Sequence, residues 1–255
     1  MALLEMNGVS QRFGGLHALM DFNFSLEERE LVGLIGPNGA GKTTVFNLVS
    51  GFYIPSEGDI AFGGTGTRGM KPHRITALGL ARTFQNIRLW NDMSVLDNLR
   101  IAQYHRRGYR LHDALLRTRR YRAAERRIED KCRDILSMMD IAALADEFPK
   151  NLPYGLQRRV ELGRALSTDP RLLLLDEPAA GLNSSDVDGL IRLVRWIHGE
   201  FKIAVWMIEH QMKVVMSLCR RLMVLDFGKT IAAGTPEEIR NNPDVIRAYL
   251  GDGTL

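Results

Sequence analysis

The sequence predicts an α/β fold: a parallel sheet covered by helices on both faces, with an antiparallel β portion beside it and a helical lobe inserted into it. Three observations predict this. Leu31–Ile35, Leu172–Leu175, Ile203–Ile208 and Leu222–Leu225 are short apolar runs without polar alternation, the pattern of strands buried on both faces. Helical stretches separate the later runs, the alternation that builds a parallel sheet. From about residue 90 to 150 the texture is helical and carries no strand run, which marks an insertion. At 255 residues, with 45% hydrophobic and 25% charged side chains, the chain is long enough for one core fold plus a smaller lobe.

The elements follow in order. The N-terminal third reads as strands and turns. Leu31–Ile35 is stopped by Gly36-Pro37-Asn38-Gly39, and a helix is expected over Thr43–Ser50 with Gly51 as its stop. Residues 52–70, rich in glycine and small side chains, predict hairpins. Ile128, Cys132, Ile135, Leu136 and Met139 form one apolar stripe at helical spacing, which reads as packing. A helix is expected over Gly155–Ser167, after Pro153 and closed by Asp169-Pro170. The tail holds a capping box at Thr235-Pro236-Glu237-Glu238, and Asn242-Pro243 starts a last helix ending near Leu250. The expected organisation is a core with an N-terminal antiparallel β-subdomain at 1–86 and 154–230, a helical subdomain at 87–153, and a C-terminal helical tail at 231–255.

Composition excludes several classes. With Gly 24, Pro 9 and Cys 2, collagen-like, disordered and disulfide-scaffold readings fail. Cys132 and Cys219 match no metal spacing and read as reduced thiols of a cytosolic protein. No run of about 18 apolar residues could span a membrane, and the acid-containing start is not a signal peptide. The net charge of +4 hides an asymmetry, because residues 100–133 hold twelve Lys/Arg against four Asp/Glu. This run reads as a solvated helix face rather than a nucleic-acid stripe, since no aromatic ladder interleaves the arginines.

The chemistry begins at Gly36-Pro37-Asn38-Gly39-Ala40-Gly41-Lys42-Thr43, which satisfies the G-x-x-x-x-G-K-[ST] pattern between an expected strand and an expected helix. Gly39 and Gly41 let backbone N–H groups approach phosphate oxygens, and the helix N-terminus points at the same oxygens. Lys42 supplies a full charge to the β- and γ-phosphates, and the Thr43 hydroxyl can ligate Mg²⁺. Residues Gly36 to Thr43, with Thr44, are therefore the candidate phosphate-binding set of a P-loop NTPase core. Asp176 ends a buried strand, where a carboxylate needs a cation, and a phosphate-bound Mg²⁺ is the expected one. Glu177 follows on a different bearing and can act as general base on the water that attacks the γ-phosphate.

In their order along the chain, these residues and several others resemble the nucleotide-binding subunits of ATP-binding cassette (ABC) transporters. The resemblance covers nearly the whole chain and implies the ABC ATPase fold. Gln85 in Arg82-Thr-Phe-Gln looks like the Q-loop glutamine, whose amide would reach Mg²⁺. His210 in Ile-Glu-His looks like the switch histidine that contacts the γ-phosphate, and Phe13 in Arg-Phe-Gly-Gly stands where an aromatic stacks on adenine. The run from Leu152 resembles the signature that generally reads L-S-G-G-Q, departing from it at Pro153, Tyr154 and Leu156. Gly155 retains an N–H for the phosphate of a neighbouring cassette. Asn183 stands where many relatives have aspartate, so it keeps hydrogen bonding without charge. The Leu-Pro-Tyr-Gly start, Glu177–Asn183 and the tail from Gly234 resemble the subunits that serve branched-chain amino-acid uptake.

The resemblance implies an ATPase with ATP and Mg²⁺, catalytic roles for Glu177, His210 and Lys42, and metal contacts from Thr43, Gln85 and Asp176. It implies two transmembrane permease subunits, a second ATP-binding subunit, an extracytoplasmic substrate-binding protein reached indirectly, and no nucleic acid. Pro153 has neither a hydroxyl nor an N–H to offer across the dimer, which favours a different chain as the second ATPase over a homodimer. The place implied is peripheral, on the cytoplasmic face of the inner (plasma) membrane. Leu89 and Trp90 are expected to anchor permease helices, in a groove beside Gln85 formed with residues from about Ile87 to Leu99. Two other classes compete. A soluble cassette ATPase acting on nucleic acid or ribosomes usually carries two cassettes or a long coiled coil, whereas this chain has one cassette and no sustained heptads. A P-loop kinase would not require Gln85, the 152–157 run and His210 together.

Overall fold

A computed structural model describes residues 2–250. The chain packs as two compact units, Met1–Gln85 with Arg171–Leu255, and Asn86–Pro170. The first unit opens with β1 (Leu4–Phe13), β2 (Leu16–Leu26) and β3 (Leu31–Ile35). There follow α1 (Lys42–Val49), β4 (Glu57–Phe62), β5 (Thr65–Gly66), α2 (Pro72–Ala77) and β6 (Leu80–Arg82). The second unit holds α3 (Val95–Ala102), α4 (Leu111–Leu115), α5 (Arg119–Met138) and α6 (Tyr154–Leu166). The chain re-enters the first unit with β7 (Leu172–Asp176), α7 (Ser184–Phe201), β8 (Ala204–Ile208) and α8 (Met212–Leu218). It closes with β9 (Arg221–Asp226), β10 (Lys229–Gly234), α9 (Pro236–Arg240) and α10 (Pro243–Leu250).

Two sheets form the first unit. One is antiparallel, in the order β2-β1-β4-β5. The other runs β10-β9-β3-β8-β7-β6 and is parallel except for β10 at its edge. Every residue of β3, β7 and β8 is buried, as continuous apolar strands require. The core between the sheets is locked by aromatic rings. Phe24 of β2 stacks on Trp206 of β8 at 4.1 Å, and Phe46 of α1 meets the same indole edge-on at 5.2 Å. Fully burying a Phe is worth about 2–3 kcal/mol, so α1 is pinned at the one place where its N-terminus must hold still.

In the helical unit α3, α5 and α6 pack on one another, and Ala124, Ile128, Cys132, Ile135 and Leu136 form the buried face of α5. Met139, next on the expected stripe, is also buried. Gly163 of α6 sits where a Cβ would lie 3.6 Å from both Ile135 and Leu99, an ordinary contact distance for close-packed helices. Ser94 and Thr118 cap α3 and α5 by accepting the N–H groups of Asp97 and Tyr121.

Two boundaries differ from the sequence reading. Helix α6 belongs to the helical unit, which runs to Pro170 and not 153, because α6 packs its apolar face on α3 and α5. The tail from 231 is not wholly helical: β10 adds an exposed antiparallel strand at the sheet edge before the capping box of α9. Among the described residues no helix is long and apolar enough to cross a membrane.

Candidate functional site

The phosphate loop lies between β3 and α1. At Gly36 (φ 147°) a Cβ would stand 2.0 Å from the Leu225 carbonyl oxygen, so only glycine fits. Gly41 caps α1 in the left-handed region at φ 104° with no side-chain cap, which leaves the first-turn N–H groups to an outside acceptor. Lys42 is buried, and its Nζ donates to the Gly36 and Pro37 carbonyls at 2.7 Å each. Burial pushes its pKa below the ordinary lysine value, while the Glu177 and Asp176 carboxylates act against that shift.

A cavity of about 420 Å³ opens over this loop. Asn38 to Thr44 line it together with Phe13, Glu177 and His210, so most of the residues singled out from the sequence share one pocket. Leu16, His17, Ala18 and Phe227 also line it and were not foreseen. Phe13 is half-exposed and holds Tyr53 edge-on at 5.2 Å. Gly36 and Pro37 touch the site through Lys42. Gly155 is elsewhere: it is an exposed residue in the first turn of α6, in the helical unit.

Glu177 leaves the strand with φ +47°, which turns its side chain away from the run of β7. Gln85 Nε2 donates to its Oε2 at 2.7 Å, and His210 Nε2 lies 2.6 Å from its Oε1. The carboxylate is therefore held between the residue that the resemblance assigns to Mg²⁺ and the one it assigns to the γ-phosphate.

Asp176 overturns one physical expectation. Its buried carboxylate does have a cation, but that cation is Arg82, whose Nη2 donates to Oδ2 at 2.7 Å with both side chains about 95% buried. Arg82 also donates to Asn47 Oδ1 and packs its guanidinium 4.9 Å from the centre of the Phe84 ring. Burial alone is thus no argument for a metal at Asp176. Among the described residues no hydrogen bond reaches the other oxygen, Oδ1.

Sequence reasoning missed a second buried carboxylate. Glu209, 2% exposed at the end of β8, accepts the N–H of Ala179 at 2.7 Å and those of His210 and Gln211 at 2.9 and 3.2 Å. Gln211 returns a bond to the Ala179 carbonyl at 3.1 Å. Glu209, with Gln211 beside it, rivets the turn after Glu177 to the loop that carries His210. Its signal was present: an acid directly after an unbroken apolar strand must be satisfied by something. Asn183 has a structural role, accepting the Asp186 N–H as the N-cap of α7. Pro153 is the N-cap residue of α6, and its carbonyl accepts from Leu156 and Gln157.

Mg²⁺ can be tested against these donors. Among the described residues no group of three or more His, Cys, Asp and Glu side chains could hold a metal alone. A magnesium ion carried by phosphates needs only one or two protein oxygens, and the Thr43 hydroxyl and Asp176 Oδ1 are hard oxygens of that kind. The donor set fits.

A glycine-rich loop on a parallel sheet, with a lysine and a helix N-terminus converging on one cavity, defines a P-loop nucleotide-binding protein. Comparison with known proteins narrows the class. The sequence profile described as ABC transporter matches residues 19–180, and that described as branched-chain amino acid ATP-binding cassette transporter matches residues 229–254. The high-affinity branched-chain amino acid transport ATP-binding protein BraF of Pseudomonas aeruginosa is 43% identical over 250 residues, 98% of each chain. Its counterpart LivG of Escherichia coli is 44% identical over 250 residues, again 98% of each. A crystal structure of the ADP conformation of an ATP-binding cassette of an ABC transporter matches with a TM-score of 0.85 at 28% identity, covering 99% of this chain and 100% of that one. The chain belongs to the ABC transporter family.

Proposed function

We propose that this chain is the ATP-binding and ATP-hydrolysing subunit of an importer for branched-chain amino acids, working on the cytoplasmic face of the inner membrane beneath two permease subunits. The observation that carries the reading is that Glu177 and His210 stand on the wall of the cavity that the phosphate loop lines, with the Glu177 carboxylate held by His210 and by Gln85. The N-terminus of α1 and Lys42 bind the phosphates of ATP, and Phe13 offers a ring face to the base. Glu177 takes the proton of the attacking water, and His210 holds that carboxylate in place and contacts the γ-phosphate. Gln85 orients the other carboxylate oxygen. Thr43 and Asp176, joined by Gln85, would hold Mg²⁺, which when bound offsets charge on the phosphates.

The site is completed by a second ATP-binding subunit, whose signature loop would reach the γ-phosphate as Gly155 of this chain reaches the partner's. Pro153, which has neither a hydroxyl nor an N–H to offer, favours a different chain over a second copy as that partner. An external substrate-binding protein delivers the amino acid to the permeases. The nucleic-acid alternative finds no support, since the relatives at 43–44% identity are transport subunits.

The test is a pair of variants assayed for ATP affinity and phosphate release, in the assembled transporter if the isolated chain is inactive. Lys42→Ala should lose tight ATP binding, because it removes charge that acts in the ground state. Glu177→Gln should keep binding and lose roughly a hundredfold to ten-thousandfold in turnover. Near-normal turnover in Glu177→Gln would refute the assignment.

A further inference from the structure

The helical unit carries a surface that neither nucleotide chemistry nor its own packing uses. Leu111 and Leu115, one turn apart on α4, are 77% and 83% exposed, and Leu116 directly after them is 72% exposed. The core of this unit closes without them, around Leu99, Ile128, Ile135 and Leu136. The leucines are nevertheless held firmly in place. Asp113 closes a capping box on α4 and accepts from the Thr118 hydroxyl. Tyr109 donates to Glu125 at 2.5 Å and meets Tyr121 edge-on, and Arg120 Nε donates to the Gly108 carbonyl.

Charge surrounds this apolar tip. Residues 106–127 contain nine arginines and two carboxylates. Both carboxylates are engaged within the unit, Asp113 by its cap and Glu125 by Arg100 and Tyr109. Arg117, Arg119, Arg122, Arg126 and Arg127 are exposed, and none pairs with a carboxylate among the described residues.

We infer that α4 and the start of α5 form a membrane-surface foot that docks on the anionic headgroups of a lipid leaflet, with Leu111, Leu115 and Leu116 entering the interface. The chemistry selects this occupant. An apolar tip alone or a basic patch alone gives weak, reversible attachment, whereas the two signals together hold a protein at a bilayer. A polyanion in water would use the arginines and leave three leucines exposed. Tyr104, Tyr109 and Tyr121, which could have stacked on bases, are spent on Glu125 and on each other. The inference rests on the helical unit alone and stands apart from the assignment of the ATP site.

The test is flotation of the full chain with phosphatidylcholine vesicles, with and without phosphatidylglycerol, over a salt series. Binding should require phosphatidylglycerol and weaken as salt rises. Each arginine near an anionic leaflet is worth about fivefold, so Arg117→Gln, Arg119→Gln and Arg122→Gln together should cost about a hundredfold in partitioning. Leu111→Ser, Leu115→Ser and Leu116→Ser together should cost about tenfold or more and leave the salt dependence in place. These side chains are exposed, so circular dichroism and ATP affinity should not change in either variant. Equal binding to both vesicle types, no binding to either, or leucine variants that bind like the parent would overturn the inference. So would submicromolar binding of a single-stranded oligonucleotide that competes with the vesicles, or loss of permease assembly in the leucine variant without any lipid binding by the parent. Failure of ATP binding in the parent chain would count against the proposed function and not against the foot.

Discussion

Glu209 offers the sharpest test of how the site is held together. The substitution Glu209→Gln keeps size and shape but exchanges one acceptor oxygen for an NH₂ group. In the structure both carboxylate oxygens accept, one from Ala179 and the other from His210 and Gln211. Whichever way the amide turns, at least one buried N–H faces a donor. A hydrogen bond to a charged acceptor is worth about 1.5–3 kcal/mol, and an unmatched buried donor costs on the order of 1–3 kcal/mol. Urea unfolding should therefore show a loss of about 2–4 kcal/mol.

The functional effect should follow from position. Releasing one side of the rivet frees either the turn after Glu177 or the loop of His210, and a misplacement of about 1 Å at reacting groups can cost on the order of a hundredfold in rate. Lys42 and its loop are untouched, so KM for ATP should stay within about twofold while kcat falls, the sign of an interaction that matters only in the transition state. A variant that loses stability but keeps kcat would make Glu209 a purely structural residue. One that loses neither would refute the hydrogen bonding itself.

Three further outcomes are expected. Arg82→Met strands the buried Asp176 carboxylate and should cost about 3–5 kcal/mol in urea unfolding, with Asp176→Leu recovering much of it in the double variant; a cost below about 1 kcal/mol would show that Arg82 is not the compensating cation. Burial pushes the Cys132 thiol up to about 11 and the Cys219 thiol up to about 12, above the unfolded value near 8.5. Their contribution is complete below that unfolded value and is lost as pH rises toward the folded ones. Stability should fall by about 1.4 kcal/mol per pH unit per thiol across that window, and Cys132→Ala with Cys219→Ala should flatten the slope. Pro153→Ser restores a hydroxyl at the N-cap of α6 and should strengthen ATP-driven association with a partner cassette, read by sedimentation in a Glu177→Gln background; no change would make the missing donor irrelevant.

How much of this was legible in the sequence depended on burial. Strands β3, β7, β8 and β9 were found to within a residue because both of their faces are covered, and apolar side chains must then be continuous. Strand β10 was not, because an edge strand with exposed residues such as Lys229 and Thr230 carries no such run. The helix α6 was visible by its flanks, Pro153 and Asp169-Pro170, yet its unit was not, since such signals say where a helix begins and ends and not against what it packs. At the site, the phosphate loop is local and so was readable as a string. The Arg82–Asp176 pair spans 94 positions and the Glu209–Ala179 bond spans 30, and nothing in linear spacing connects them.

The adjacent carboxylates Asp176 and Glu177 show how one strand end can serve two tasks. Had the chain stayed extended, Glu177 would have projected to the opposite face of the sheet from Asp176. Instead, Glu177 enters the left-handed region, which costs a residue with a Cβ on the order of 1 kcal/mol or more. The surrounding bonds offset that cost. The Glu177 N–H still donates to Ile208 of β8 at 2.9 Å, so the parallel ladder runs one residue past the strand, while its carbonyl accepts from Ala180 and begins the turn. Gln85 and His210 then fix the carboxylate, and Glu209 fixes His210 from below. Glycine would adopt this backbone without strain but would leave Gln85 and His210 without the acceptor on which they converge. The strain is thus tied to the side chain that the chemistry needs, and Asp176, one residue earlier and still in the strand, stays buried against Arg82.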